Sequence, residues 1–247
     1  MECYEQFAYI YDELINGDID YKKWSEVIIE IINKLEIPKG EYLDLACGTG
    51  NLTVELYEKF KHTWAVDLSY DMLTKAETKF KNFKNKPKFV CQNICNLNLN
   101  HKFNVITCCL DSLNYIVDKG ELINFFKNVY NHLDYNGIFI FDMNSYNKLT
   151  NILGNNSFNY DDEDITYVWE NYLEDDIVNM YLTFFVKESN NIYRRFDEEH
   201  RERAYKNEEI KEIIKNIGFK LVKEFDNYKI DKDIDENTER IVYVLTK

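Results

Sequence analysis

Apolar residues in the first 35 positions recur at helical spacing: Phe7, Ile10, Tyr11 and Leu14, then, beyond a Gly17-Asp18 break, Trp24, Val27, Ile28, Ile31, Ile32 and Leu35. Two helices are predicted here, closed by Pro38-Lys39-Gly40. The rhythm then changes to short apolar runs that alternate with amphipathic stretches. Strands are predicted at 42–46, 63–67, 88–91, 103–110 and 137–143, with helices over 51–61, 69–80 and 120–133. Strand-helix alternation means parallel strands joined by right-handed crossovers, so the fold class is α/β.

From Phe158 to Tyr205 the pattern changes again. Ile165-Thr166-Tyr167-Val168-Trp169 and the segments 177–186 and 192–196 are rich in aromatic and β-branched residues, and Asp175-Asp176 and Glu188–Asn191 punctuate them as turns do. An antiparallel meander is predicted. A helix follows over 207–217, with Asn207 as its N-cap and Gly218 past its end, and strands at 219–225 and 240–246 finish the sequence. Because the meander falls between the fifth strand and the helix that should follow it, residues 146–205 read as an inserted β lid. Residues 1–145 and 206–247 read as one sheet domain.

Charge narrows the partners. The 247 residues carry 30 Lys plus Arg against 44 Asp plus Glu, a net charge of −14, and residues 161–199 alone hold 12 acids and 3 bases. A polyanion is disfavoured as a partner, so no nucleic acid is expected. No apolar run reaches the roughly 18–20 residues of a membrane span, and Met1-Glu2-Cys3-Tyr4-Glu5-Gln6 lacks the basic-then-apolar order of a signal peptide. A cytoplasmic protein without membrane contact is expected. The cysteines at 3, 47, 91, 95, 108 and 109 match no metal or disulfide spacing and read as reduced thiols. Asp161-Asp162-Glu163-Asp164 lacks the glycine and alternating ligands of a calcium loop, so it reads as a solvated turn and no metal is expected.

The most informative stretch is Leu43-Asp44-Leu45-Ala46-Cys47-Gly48-Thr49-Gly50-Asn51-Leu52-Thr53, a strand running through a two-glycine turn into a helix. Glycines at 48 and 50 let backbone approach a ligand and place amides at a helix start. A dinucleotide site would want Gly or Ala where Thr53 stands, which disfavours nicotinamide and flavin dinucleotides. Asp67 lies at the carboxyl end of the second strand, where a carboxylate can accept both hydroxyls of a ribose.

These residues resemble the class I S-adenosylmethionine (SAM)-dependent methyltransferases, whose first motif is acid-x-x-x-Gly-x-Gly. Tyr4-x-x-Phe7-Ala8-x-x-Tyr11-Asp12-x-Leu14, Tyr21-x-x-Trp24, Asp111-Ser112-Leu113-Asn114-Tyr115 and Arg195-Phe196-Asp197-Glu198-Glu199-His200 with Arg203 are similar to a bacterial small-molecule subgroup. The resemblance implies a Rossmann-like seven-stranded methyltransferase sheet with an N-terminal helical cover and the inserted antiparallel β lid, and SAM as cofactor. It assigns Ala46, Cys47, Gly48 and Gly50 to the methionine moiety, Asp44 to its amino group through water, and Asp67 to the ribose. Leu68 and Met72 would line the adenine, with Ile94 and Leu110 among the cofactor neighbours. Asn93 stands where the family commonly has an acid for the adenine amino group.

Methyl transfer from a sulfonium is an in-line displacement, so alignment and exclusion of water dominate, and a base is needed only if the nucleophile arrives protonated. Asp111, Asn114 and Tyr115 are expected to face the methyl, with Tyr11 walling the site and Trp24 on the acceptor side. In an extended strand Phe196, Glu198 and His200 share one face, while Arg195, Asp197, Glu199, Arg201 and Arg203 share the other. His200 is a candidate general base. Arg195 and Arg203 either anchor an acceptor or pair with neighbouring acids. The expected function is methyl transfer from SAM to N or O of a small molecule. Rival readings are a non-catalytic SAM-binding regulator, an NAD-dependent oxidoreductase, and an RNA or protein methyltransferase.

Overall fold

A computed structural model describes residues 10–15, 17–189 and 192–247. Tyr4, Phe7 and Ala8 of the N-terminal resemblance, Cys3, and part of the turn expected at 188–191 lie outside the described residues. Strands β1 (Glu41–Leu45), β2 (His62–Asp67), β3 (Lys88–Cys91), β4 (Phe103–Cys108) and β5 (Leu133–Asn144) pair in parallel. Inserted next to β5 and antiparallel to it is a later strand, β11 (Arg240–Thr246), which pairs antiparallel with β10 (Lys220–Asp226). The sheet order is β10-β11-β5-β4-β1-β2-β3.

Alternation along these strands sorts side chains to two faces. Tyr42, Val105, Ile138, Ile140, Val242 and Val244 pack with Trp24, Ile28 and Ile32 of helix α2 (Tyr21–Lys34) and with Leu52 and Leu56 of α3 (Asn51–Leu56). Leu43, Ile106, Phe139, Phe141 and Tyr243 face the other way, onto Phe125 and Phe126 of α5 (Lys119–His132) and Ile210 and Ile214 of α6 (Asn207–Ile217). The remaining helices are α1 (Tyr11–Ile15) and α4 (Tyr70–Lys79), the latter capped by the Ser69 hydroxyl accepting from Met72 N. Such sheets bind ligands beyond the carboxyl ends of their strands, where the order reverses on either side of β1.

Four further strands form a separate antiparallel sheet, β6 (Ser157–Asp161), β7 (Ile165–Glu174), β8 (Ile177–Ser189) and β9 (Ile192–Arg203), in that order. Asp175 and Asp176 both take left-handed backbone (φ 49° and 62°) and join β7 to β8 as a two-residue hairpin loop. The structure departs from the periodicity in three places. The helix expected over 51–61 stops at Leu56 and tightens to a 3-10 turn over Tyr57–Lys59. A π-helical turn, Lys148–Leu153, precedes β6. Asn207 does not cap α6: its amide donates to Glu224 and its oxygen accepts from the Tyr243 hydroxyl, anchoring the helix to β10 and β11.

Candidate active site

The turn after β1 is left-handed at Ala46, Gly48 and Gly50 (φ 52°, 54° and 79°). The two glycines serve different ends. A Cβ at Gly50 would press on the Ala76 Cβ at 3.3 Å and on Phe80 at 3.4 Å, so this glycine lets the turn seat against α4. A Cβ at Gly48 would meet nothing within 4 Å, so this glycine keeps open space above the turn. Asp67 borders that space. Its Oδ2 accepts from Gly48 N and its Oδ1 from Ser69 N, each at 2.8 Å, which leaves each oxygen capacity for a further donor. Burial pushes its carboxyl pKa upward, against those amides. Leu68, beside it, is 66% exposed, an apolar surface at the rim, whereas Met72 is buried beneath.

Asp44 lies under the turn. It is buried, with Oδ2 accepting from the Thr53 hydroxyl at 2.5 Å and Oδ1 from the Thr107 hydroxyl at 2.8 Å, and burial raises its pKa to about 6. Thr53, which displaces the dinucleotide glycine, therefore ties α3 to β1 and β4. Across the turn, Asn93 uses Oδ1 to cap the short turn at Ile94–Asn96 by accepting from Cys95 N at 2.8 Å, and Ile94 packs on the core. Cys47 is held well above the usual thiol range by burial, so it is a neutral part of the turn.

Helix α1 is latched to the same turn. Asp12 accepts from the Thr49 hydroxyl at 2.6 Å and from Asn51 Nδ2 at 3.0 Å, and pairs with Lys79 of α4 at 2.9 Å. These partners hold the Asp12 pKa below its ordinary value against the opposing effect of burial. Tyr21 sits between this cluster and Asp111: burial lifts its hydroxyl to about 12, Asn51 and Tyr11 hydrogen-bond to it, and Asp12 and Asp111 add repulsion. Tyr11 and Asp111 are thereby brought to one end of the site.

The turn after β4 is strained and braced. Leu110 and Asp111 are both left-handed (φ 61° and 51°), and their amides donate to Asp142 Oδ2 and Oδ1 at 2.8 and 2.9 Å. Asp142, wholly buried in β5, also accepts from the Tyr228 hydroxyl at 2.8 Å and from Arg240, whose other nitrogen reaches Asp111 Oδ1 at 2.6 Å. Trp24 is buried in this brace, stacked on Tyr228 with centroids 4.1 Å apart and beneath the Arg240 guanidinium. It does not reach the acceptor side.

Asn114, expected to face the methyl, is instead fully buried and spent on backbone. Its Oδ1 accepts from Asn144 N at 2.9 Å, and its Nδ2 donates to Arg203 O at 3.0 Å and Asn144 O at 3.3 Å. Tyr115 meets His200 edge-on, with centroids 5.8 Å apart. His200 shares the inward face of β9 with Phe196, Glu198 and Glu202, all buried, and burial drives its imidazole down to about 4. Arg203 is tied to the turn after β4 through its Nε, which donates to Val117 O at 2.6 Å. Arg195 is on the outward face, paired with Asp197 at 3.0 Å, and is not brought to the site.

Residues 43–137 match the family described as methyltransferase domain. YqeM of Bacillus subtilis (strain 168), which carries a methyltransferase assignment, is 35% identical over 223 residues, 88% of this chain and 87% of that protein. The chain belongs to the SAM-dependent methyltransferases. A crystal structure of a SAM-dependent methyltransferase from Clostridium acetobutylicum ATCC 824 is 54% identical, covers 99% of both chains, and superposes with a TM-score of 0.92. SAM-bound CalS10, an amino pentose methyltransferase from Micromonospora echinaspora, shares the fold at 16% identity, with a TM-score of 0.78 over 100% of this chain and 98% of that one. The cofactor of this methyltransferase is SAM, and the NAD-dependent reading falls with Thr53. The open space at Gly48, the unfilled capacity of the Asp67 oxygens and the exposed Leu68 lie together beyond the carboxyl ends of β1 and β2, where a bound cofactor needs room and hydrogen-bond acceptors. Among the described residues no helix is long and apolar enough to cross a membrane.

Asp12 enters the sequence reading only within the N-terminal resemblance and without a role, and Lys79, Asp142, Arg240 and Glu202 were not singled out by it. Asp142 had a signal, an acid inside the apolar run Ile138-Phe139-Ile140-Phe141-Asp142-Met143. Its partner Arg240 lies 98 residues away, which no local pattern connects.

Proposed function

We propose that the methyltransferase moves the methyl of SAM to nitrogen or oxygen of a small molecule by in-line displacement, with residues 146–205 acting as the lid over the acceptor. The observation that carries this reading is the roof the β6–β9 sheet makes over the turn after β4. Arg203 N donates to Asn114 O at 2.8 Å, Arg203 Nε reaches Val117 O, and Tyr115 packs on His200. A covered site suits a molecule that can be enclosed, and enclosure excludes the water that would compete for an activated methyl. SAM supplies an electrophilic methyl on a sulfonium; the chain supplies position. Gly48 and Asp67 hold one end, and the braced Leu110–Asp111 turn and Tyr115 define the other. The acids of the lid oppose polyanionic acceptors.

The test is calorimetry with SAM followed by release of S-adenosylhomocysteine from labelled SAM across amines, sugars and small acids. Turnover on one of these classes is expected. Tight SAM binding with no turnover on a broad panel would overturn transfer to small molecules.

A further inference from the structure

Among the buried polar groups that the methyl-transfer reading leaves unused, Asn144 stands beside the acceptor end. Asn144, at the end of β5, is 5% exposed. Its Nδ2 donates to Glu202 Oε2 at 3.0 Å, while its Oδ1, the other end of the same amide, is buried with no hydrogen-bond partner among the described residues. Leaving such an oxygen dry costs about 1–3 kcal/mol, so it marks a place where a donor is wanted. Glu202 itself is 4% exposed. Thus an acceptor oxygen and a carboxyl lie side by side between the cofactor sheet and the lid, next to the Asp111–Tyr115 turn that frames the acceptor end.

Resting on the function proposed above, we propose that Glu202 and Asn144 Oδ1 form the acceptor subsite for an amine, and that Glu202 takes the proton the ammonium must shed before its nitrogen can attack. The ammonium donates to both oxygens. One N–H proton passes to the Glu202 carboxylate, giving a neutral amine and a carboxylic acid. The freed lone pair then forms the N–C bond as the C–S bond breaks and sulfur keeps its electron pair, so the product leaves as the methylated ammonium.

The surroundings favour this assignment over His200. Besides burial, Asp111 in the turn after β4 raises the Glu202 pKa by repulsion, the hydrogen bond from Asn144 on β5 lowers it, and the charges of Lys148 in the π-helical turn and Arg240 on β11 lower it. Burial dominates, and the carboxyl is pushed up to about 8. That lies nearer the alkylammonium range, about 10.4 for lysine, than an ordinary carboxyl does, so taking the proton is less uphill than it would be for an exposed glutamate. His200, two residues earlier on the same face, is driven down to about 4 by burial, far too weak a base for an ammonium.

The test uses the full chain saturated with S-adenosylhomocysteine, the glutamate side chains carrying 13C at Cδ, and matched probes: cyclohexylamine against cyclohexanol and glucosamine against glucose. Glu202 is assigned from the resonance lost in E202Q, a substitution that resembles the protonated carboxyl in shape and charge and should leave the fold intact. Expected results are a Glu202 titration near pH 8 and a fall of its midpoint when an amine binds. An amine-over-alcohol preference of about ten-fold or more is also expected, lost in E202Q with the affinity for S-adenosylhomocysteine unchanged. In wild type, a Glu202 resonance that does not respond to amines, or no amine preference up to about 10 mM, overturns the inference. A preference that survives in E202Q does so as well. Failure of S-adenosylhomocysteine itself to bind would instead count against the methyl-transfer reading.

Discussion

Replacing Arg240 with methionine should be among the most damaging single changes in this protein. The guanidinium is 8% exposed and bonds two carboxylates, Asp111 and Asp142, the latter wholly inaccessible. In R240M Asp142 would remain buried beside Asp111 with its positive partner gone. Breaking one side of a buried pair costs about 3–5 kcal/mol. At about 2–4 °C per kcal/mol for a chain of this size, the melting midpoint should fall by roughly 6–20 °C. The strain adds a local consequence, since Leu110 and Asp111 sit in left-handed backbone at about 1–2 kcal/mol each and are held there by Asp142. Urea unfolding at low and at 1 M salt is the assay. Because the pair is dry, the loss should persist at high salt. The double variant R240M/D142N checks the cause: removing the stranded charge should make D142N cheaper in the R240M background than in wild type. A loss below about 1 kcal/mol, or one abolished by salt, would refute the reasoning.

D67A should weaken SAM binding by about 1–3 kcal/mol, read by calorimetry; unchanged affinity would remove Asp67 from the ribose site. The glycines should separate: G48A should reduce SAM affinity more than stability, whereas G50A, crowding Ala76 and Phe80, should reduce stability first. Thermal melts and titrations of the two variants decide. Asp44 makes a pH prediction. Its folded pKa of about 6 lies above the ordinary 3.8, so the folded state binds more protons and stability falls as pH rises through that window. The contribution is on the order of 2–3 kcal/mol. D44N should flatten the stability profile between pH 4 and 6, and a difference profile without that slope would refute the assignment. D12N should loosen α1 from the cofactor turn and speed S-adenosylhomocysteine release, read by stopped-flow fluorescence, with little change if the latch at Thr49, Asn51 and Lys79 is incidental.

The sheet was legible because its signals are local. Most strands of the larger sheet contain a short apolar run, and the Asp44-to-Gly50 and Asp67 spacing lies within one βαβ unit, so periodicity and turn chemistry suffice for them. The π-helical turn at Lys148–Leu153 was not, because its apolar spacing suits more than one helical pitch. Nor was the Arg240–Asp142–Asp111 brace, which forms only when β5, β11 and the turn after β4 meet. The acids of β9 divide between its faces: Asp197 and Glu199 point outward while Glu198 points in, joined by Glu202. The period-2 reading of β9 gave the correct faces, yet burial decided the chemistry. His200 is turned into a weak base and Glu202 into a candidate one by the same dry environment.

Asn114 carries a consequence for how this family can diversify. Its single amide grips the backbone of Asn144, where the chain leaves the large sheet, and of Arg203, where it comes back. Between those stems the roof also meets the cofactor half where Tyr115 packs on His200 and where Ile10 and Leu14 pack on Ile165, Phe184 and Phe196. The roof can therefore be exchanged or redecorated by recombination, provided the two stems still present their peptide groups to residue 114 and these contacts are kept. A chimaera built at these seams is the natural route to new acceptors, with the ancestral cofactor site carried over intact.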